Sequence, residues 1–187
     1  LISFVLIVSV CTLEAQNQKD TTQTKINFFQ GFRVDVDISP IVTTLLSAGE
    51  TYSFEGAVQS KILGKYFPIV EAGFAGANKT TFDNITFKTN GAFLRVGTDF
   101  NVMKESKTEK KFTNYFLIGA RIGFTTYGYD LNNIIIIDDY WKETKTYNYN
   151  NQIAAKVWIE FAASVRVEIL KNIYMGWTIR NKNMLTN

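Results

Sequence analysis

Residues 32–38 read FRVDVDI, an alternation without a miss that sets Phe32, Val34, Val36 and Ile38 on one face of an extended chain and Arg33, Asp35 and Asp37 on the other. A helix cannot sort these residues into two chemical faces; a strand does. The same period of two returns in segments near 51–63, 65–75, 91–103, 114–126, 152–170 and 173–180, with little helical signal between them. The chain therefore reads as a string of seven strands. In a water-soluble sheet the charged row of FRVDVDI would face solvent, whereas in a membrane barrel it would line the interior.

Three features favour the second arrangement. The apolar rows of the last four segments, such as Val157, Ile159, Phe161, Ala163, Val165, Val167 and Ile169, run uninterrupted by charge. The segments reach ten or more residues, against about five or six for an average soluble strand. Tyrosine and tryptophan gather near segment ends, at Tyr52, Tyr66, Tyr115, Tyr127, Tyr140, Trp141 and Tyr174. A soluble periplasmic lipocalin-like ligand-binding β-barrel is the alternative that the alternation alone leaves open.

The five arginines, Arg33, Arg95, Arg121, Arg166 and Arg180, all fall on the polar rows, while most lysines fall in turns and loops. A guanidinium is a permanently charged fork that binds carboxylates two-handed and suits a confined ionic network. The acids on the same rows are Asp35, Asp37, Glu55, Glu71, Asp99, Glu160 and Glu168, with Lys61 and Lys156 as further cations. Glycines studding those rows would leave room for the arginines in a small barrel. The expected fold is all-β, an antiparallel up-and-down transmembrane barrel of the eight-stranded type with about seven strands present. Eight strands enclose room for side chains but not for an open channel. Pro68 is expected to mark a bulged spot in its strand.

Connections alternate in length. Gly64, the KESKTEKK stretch and Lys171-Asn172 are short or compact, whereas 39–50, 76–90 and 127–151 are expected to be long loops. Short turns on the periplasmic side and longer loops outside are the rule for up-and-down membrane barrels. The DDYWKETKTYNYNN stretch, with Tyr140, Trp141, Tyr147 and Tyr149, is the candidate interaction surface.

The start of the chain, LISFVLIVSVCTLEA, has the apolar run and small-residue end of a secretory signal peptide without its basic start. Residues 1–15 are read as that leader, cleaved near Ala15, 16–27 as a polar linker and 28–187 as the barrel domain. Lipidation at Cys11 is the alternative, disfavoured by bulky Val10. The expected location is the bacterial outer membrane, with its lipid, and other outer-membrane proteins, as partners.

Histidine is absent and Cys11 is the one cysteine, which removes the commonest general base and metal ligands. No catalytic residue, metal or cofactor is expected. The Asp35/Asp37 pair is read as part of the ionic network rather than a catalytic dyad, and Asp130 with Asp138 and Asp139 as a solvated loop rather than a calcium site. With a net charge of only +3 and no basic run interleaved with aromatics, nucleic acid is not an expected partner.

The succession GFRVDVDISPIV, FEGAVQSKILGKYFPIVEAGFA, FLRVGTDFNV, YFLIGARIGFTTYGYDL and NIYMGWTIRNK resembles a Bacteroidota outer-membrane β-barrel family classed as a domain of unknown function. The resemblance covers nearly all of the chain after the leader. It implies an eight-stranded outer-membrane barrel and supplies no activity. Members of that family continue to a last strand ending in aromatics, whereas this sequence stops at Met184-Leu185-Thr186-Asn187, so it is read as clipped at both ends. Seven strands would then leave the first and last unpaired with each other.

Overall fold

The computed structural model describes residues 5–9, 28–103, 114–137, 140 and 143–186. Cys11, Ala15, the linker at 16–27, the KESKTEKK turn, Asp138, Asp139 and Trp141 lie outside them. Eight strands follow one another around a closed antiparallel barrel: β1 (Val5–Ser9), β2 (Phe29–Asp37), β3 (Thr51–Ile62), β4 (Tyr66–Thr80), β5 (Thr86–Asn101), β6 (Asn114–Ile137), β7 (Thr144–Leu170) and β8 (Ile173–Met184). Each pairs with its neighbours in sequence, and β1 with β8 closes the ring.

The faces sort as the alternation predicts. Arg33 and Asp35 are buried inside while Val34 and Val36 between them are more than a third exposed on the outer surface. Phe54, Val70, Val96, Ile122, Phe161 and Trp177 continue that apolar exterior around β3 to β8. Inside, the side chains of Glu71, Arg95, Asp99, Arg121, Glu160 and Arg166 are almost fully removed from solvent.

As expected, β2 and β8 do not pair with each other. The open edge expected of seven strands is nevertheless absent, because Val5–Ser9, inside the segment read as a leader, stands between them as an eighth strand. It matches Ile7 with Asp37, Val8 with Val36 and Ser9 with Asp35 on one side, and runs from the Val5–Thr178 pair to the Ser9–Tyr174 pair on the other. A leader removed before folding would leave β2 and β8 as two open edges, so the two roles of this segment exclude each other in one molecule.

The connections expected to be long loops are largely regular structure. Strands β4 and β5 stay paired out to Thr80–Thr86, and β6 and β7 to Ile137–Thr144, so two of the three are hairpins that lengthen the sheet. The third contains the helix α1 (Ser39–Leu46), which starts with Pro40 in its first turn, where the missing N–H costs no helical bond. The bulge expected at Pro68 is not there. The β3–β4 ladder passes from Gln59–Ile69 to Ile62–Tyr66 in one register, merely lapsing opposite a residue with no N–H, while Pro68 stays in register with Thr98 of β5. Tight turns sit where they were read, with Leu63 and Gly64 at positive φ between β3 and β4 and Asn172 likewise between β7 and β8.

Val8 and Met175 are Cα partners across the β1–β8 seam. In the refolded 187-residue chain with Cys11→Ser, the pair Val8→Cys and Met175→Cys is expected to form a disulfide under mild oxidation, because antiparallel Cα partners lie within disulfide reach. Mass spectrometry of tryptic peptides reads the cross-link, and its absence would place the N-terminal segment outside the ring.

Candidate functional site

Each arginine reaches the interior from the polar row of its strand, and glycine makes the space. Gly97 is the cross-strand partner of Arg121, Gly176 of Arg166 and Gly123 of Trp158, and a Cβ added at any of the three would collide with that side chain. Bulky groups thus lie down on bare backbone of the next strand.

The result is one continuous ionic network. Arg33 Nε lies 3.2 Å from Asp35 Oδ1, and Arg166 Nη2 holds the other oxygen of Asp35 at 3.3 Å. Both arginines also donate to Gln59 Oε1, and the amide of Gln59 donates onward to Asp99 Oδ2 at 2.9 Å. Arg121 bridges Asp99, at 3.1 Å, to Glu71, at 3.3 Å. Arg95 reaches across three strands, to Glu71 at 2.7 Å, to Glu55, and to Glu160 at 3.4 Å. Arg180 joins Glu55 at 2.9 Å and Glu71 at 3.5 Å. The five guanidinium groups of the chain face the five carboxylates of Asp35, Glu55, Glu71, Asp99 and Glu160, and Lys182 reaches Glu160 from the side at 3.6 Å.

Ten of the twelve acids and arginines assigned to the network from the sequence are joined by the contacts just given, and Asp37 and Glu168 stand at the strand ends. Asp37 accepts the backbone N–H of Ser39 at 2.8 Å, fixing the entry to α1, and Glu168 accepts that of Asn172 at 3.2 Å in the β7–β8 turn. Strand parity places both on the inner row, but at the strand ends unpaired turn N–H groups compete for them. Asp35 and Asp37 are therefore engaged by different groups and form no dyad. Lys61 lies over the Tyr115 ring, and Lys156 donates to the Thr186 carbonyl at 3.4 Å.

Two members escaped the sequence reading. Gln59 links the Arg33–Asp35–Arg166 cluster to the rest, and Trp158 donates its indole N–H to Glu160 Oε1 at 2.7 Å. Gln59 shares the inner row with Glu55 and Lys61, which is the signal that a search confined to charges passes over.

The space among Asp35, Glu55, Glu71, Arg166 and Arg180 is 10 Å³, about the volume one water needs. Toward the turn end, Phe67, Tyr115 and Tyr174 form a row of ring contacts, centroids 5.6 and 6.1 Å apart. Beyond the opposite end, β6 and β7 project as a paired arm that carries exposed Ile135, Ile136, Ile137, Tyr147 and Tyr149, with Tyr140 exposed beyond it. Tyr147 and Tyr149, expected in a loop, are thus strand residues, opposite Ile134 and Leu131. Asp130 accepts the N–H of Asn151 at 2.8 Å at the root of this arm.

A protein-family model described as "Domain of unknown function (DUF6048)" matches residues 1–187. No curated protein and no solved structure matches the chain.

Removing one partner of a buried ion pair leaves an uncompensated charge, at a cost of about 3–5 kcal/mol. Arg121→Ala and Arg166→Ala are expected to lower stability on that scale in equilibrium urea unfolding, and Gln59→Leu by about 1–3 kcal/mol through lost hydrogen bonds. Lys145→Ala, which removes an exposed pair with Glu143, is expected to leave the midpoint unchanged. Arginine variants that unfold with the parent would mean that water, not carboxylate, solvates these groups.

Proposed function

The chain belongs to the DUF6048 family, a domain of unknown function, and we propose that it is a small non-enzymatic barrel spanning the bacterial outer membrane, an anchoring or accessory subunit for other outer-membrane proteins. The observation that carries this reading is the inversion of the usual polarity: an apolar exterior around a charged, filled interior. Exposing residues such as Phe54, Ile122 and Phe161 to water would be costly, and lipid removes that cost. A lipocalin-like soluble barrel would instead keep its apolar row for an interior calyx, where this chain holds guanidinium and carboxylate groups.

A filled interior argues for a role on the surface. The carboxylates have guanidinium or indole donors, and the gap between them admits no substrate, which supports neither catalysis nor conduction through the centre. Outside the barrel, the exposed isoleucines and tyrosines of the β6–β7 arm form a surface suited to bind a partner protein.

Ile122 is mid-strand, 61% exposed and outward, while Thr125 on the same strand points into the wide end of the interior. Arginine at a lipid-facing midplane position costs about 2–4 kcal/mol. Ile122→Arg is expected to block insertion into phospholipid vesicles, read by flotation and protease protection, and Thr125→Arg to insert like the parent. Equal behaviour of the two would refute the lipid-facing assignment.

A further inference from the structure

On the loop side of the network the interior widens into two adjoining cavities of 370 and 350 Å³, which share Ala75, Phe93, Thr125 and Tyr127 as walls. We propose that this vestibule is a binding site for a small aromatic anion, a planar apolar body bearing one sulfonate or carboxylate group. The inference uses only the inner face of the barrel and holds whether or not lipid surrounds the outer one.

Shape comes first. Ligand sites typically enclose about 300–1,000 Å³, and each cavity falls within that range. Its aromatic side chains are Phe87, Phe93, Tyr127 and Trp158. Trp158 is held in place, because its indole N–H is committed to Glu160 at 2.7 Å and its neighbour Gly123 allows the ring to lie flat on the backbone. Trp158 is only 3% exposed and so forms a rigid wall beneath the cavity, and the rings a planar ligand would meet are the half-buried Phe87, Phe93 and Tyr127.

Charge then selects the sign. Among the described residues no carboxylate lines either cavity, whereas Lys156 and Lys182 line the first. Arg95 at the floor is turned toward Glu55, Glu71 and Glu160 and is neutralised by them. Lys182 sits 4.4 Å from the Trp158 ring centre and 3.6 Å from Glu160 Oε1, so its charge is partly shared with the network. Lys156 donates to the Thr186 carbonyl at 3.4 Å, a neutral acceptor, and forms no ion pair among the described residues. The vestibule thus presents net positive charge beside aromatic faces, which suits an anion and repels a cation.

Naphthalene-2-sulfonate and its neutral counterpart naphthalene-2-sulfonamide serve as probes, with fluorescence of the full chain carrying Trp141→Phe and Trp177→Phe so that Trp158 alone reports. Saturable quenching by the sulfonate is expected, tighter than by the sulfonamide. Lys156→Gln is expected to weaken the sulfonate about five- to tenfold and leave the sulfonamide within about twofold, the scale of one partly exposed charge pair. In the reporter protein with Lys156 retained, raising salt from about 50 to 500 mM should weaken only the sulfonate, which keeps the test decisive even if Lys156→Gln fails to fold. Equal affinity for both probes, quenching that does not saturate, or sulfonate binding insensitive to both salt and Lys156→Gln would overturn the proposal.

Discussion

Guanidinium groups confined with carboxylates set the terms for everything else in this barrel. A charge withdrawn from water is tolerable only when opposite charge and hydrogen bonds replace the lost solvation. Arg95 meets that condition by reaching carboxylates on β3, β4 and β7 at once, which three separate strands must present at the right height. The network therefore fixes register around the ring as much as the backbone ladders do. A slip of one residue in β5 would turn Arg95 outward and bring Leu94 or Val96 in.

The same condition explains the glycines. An arginine lying across a barrel needs a neighbouring strand it can pass over, and Gly97 and Gly176 stand opposite Arg121 and Arg166 to provide one. Small and large residues are therefore coupled in cross-strand pairs. Arginine content, glycine placement and strand register together form one solution to the problem of filling a narrow cylinder with charge.

How much of this could be read from the chain depends on whether two faces differ chemically. Where they do, as in FRVDVDI or VWIEFAASVRVEI, parity alone assigned the inner row, and the arginines with it. Parity gives the face but not the height, so it does not show that Asp37 and Glu168 stand at strand ends and accept turn N–H groups. A neutral amide leaves no charge pattern, and Gln59 was missed. The helix α1 was invisible because SPIVTTLL exposes apolar residues such as Ile41, Val42, Leu45 and Leu46 and so has no polar stripe to show a period. The outer halves of β6 and β7 lack alternation because nothing is buried between them. In β1, an unbroken apolar run looks the same whether it serves as a leader or as a strand.

The arm built by those outer halves is joined to the barrel through two register shifts, between Tyr129 and Leu131 and between Leu131 and Ile134. Asn133 and Asn151 adopt left-handed backbone there, and both N–H groups are taken by side chains, Asn148 and Asp130, rather than by the ladder. Mechanically this is a lever with its fulcrum at the rim. The nine residues from Thr144 to Gln152 extend about 30 Å at 3.3 Å per residue, so a turn of about ten degrees at the root carries the tip through about 5 Å. A partner gripping the isoleucines and tyrosines of the arm would pull on Asn133 and Asn151 long before it strained the ionic centre, and the barrel could hold its place while its reach changed.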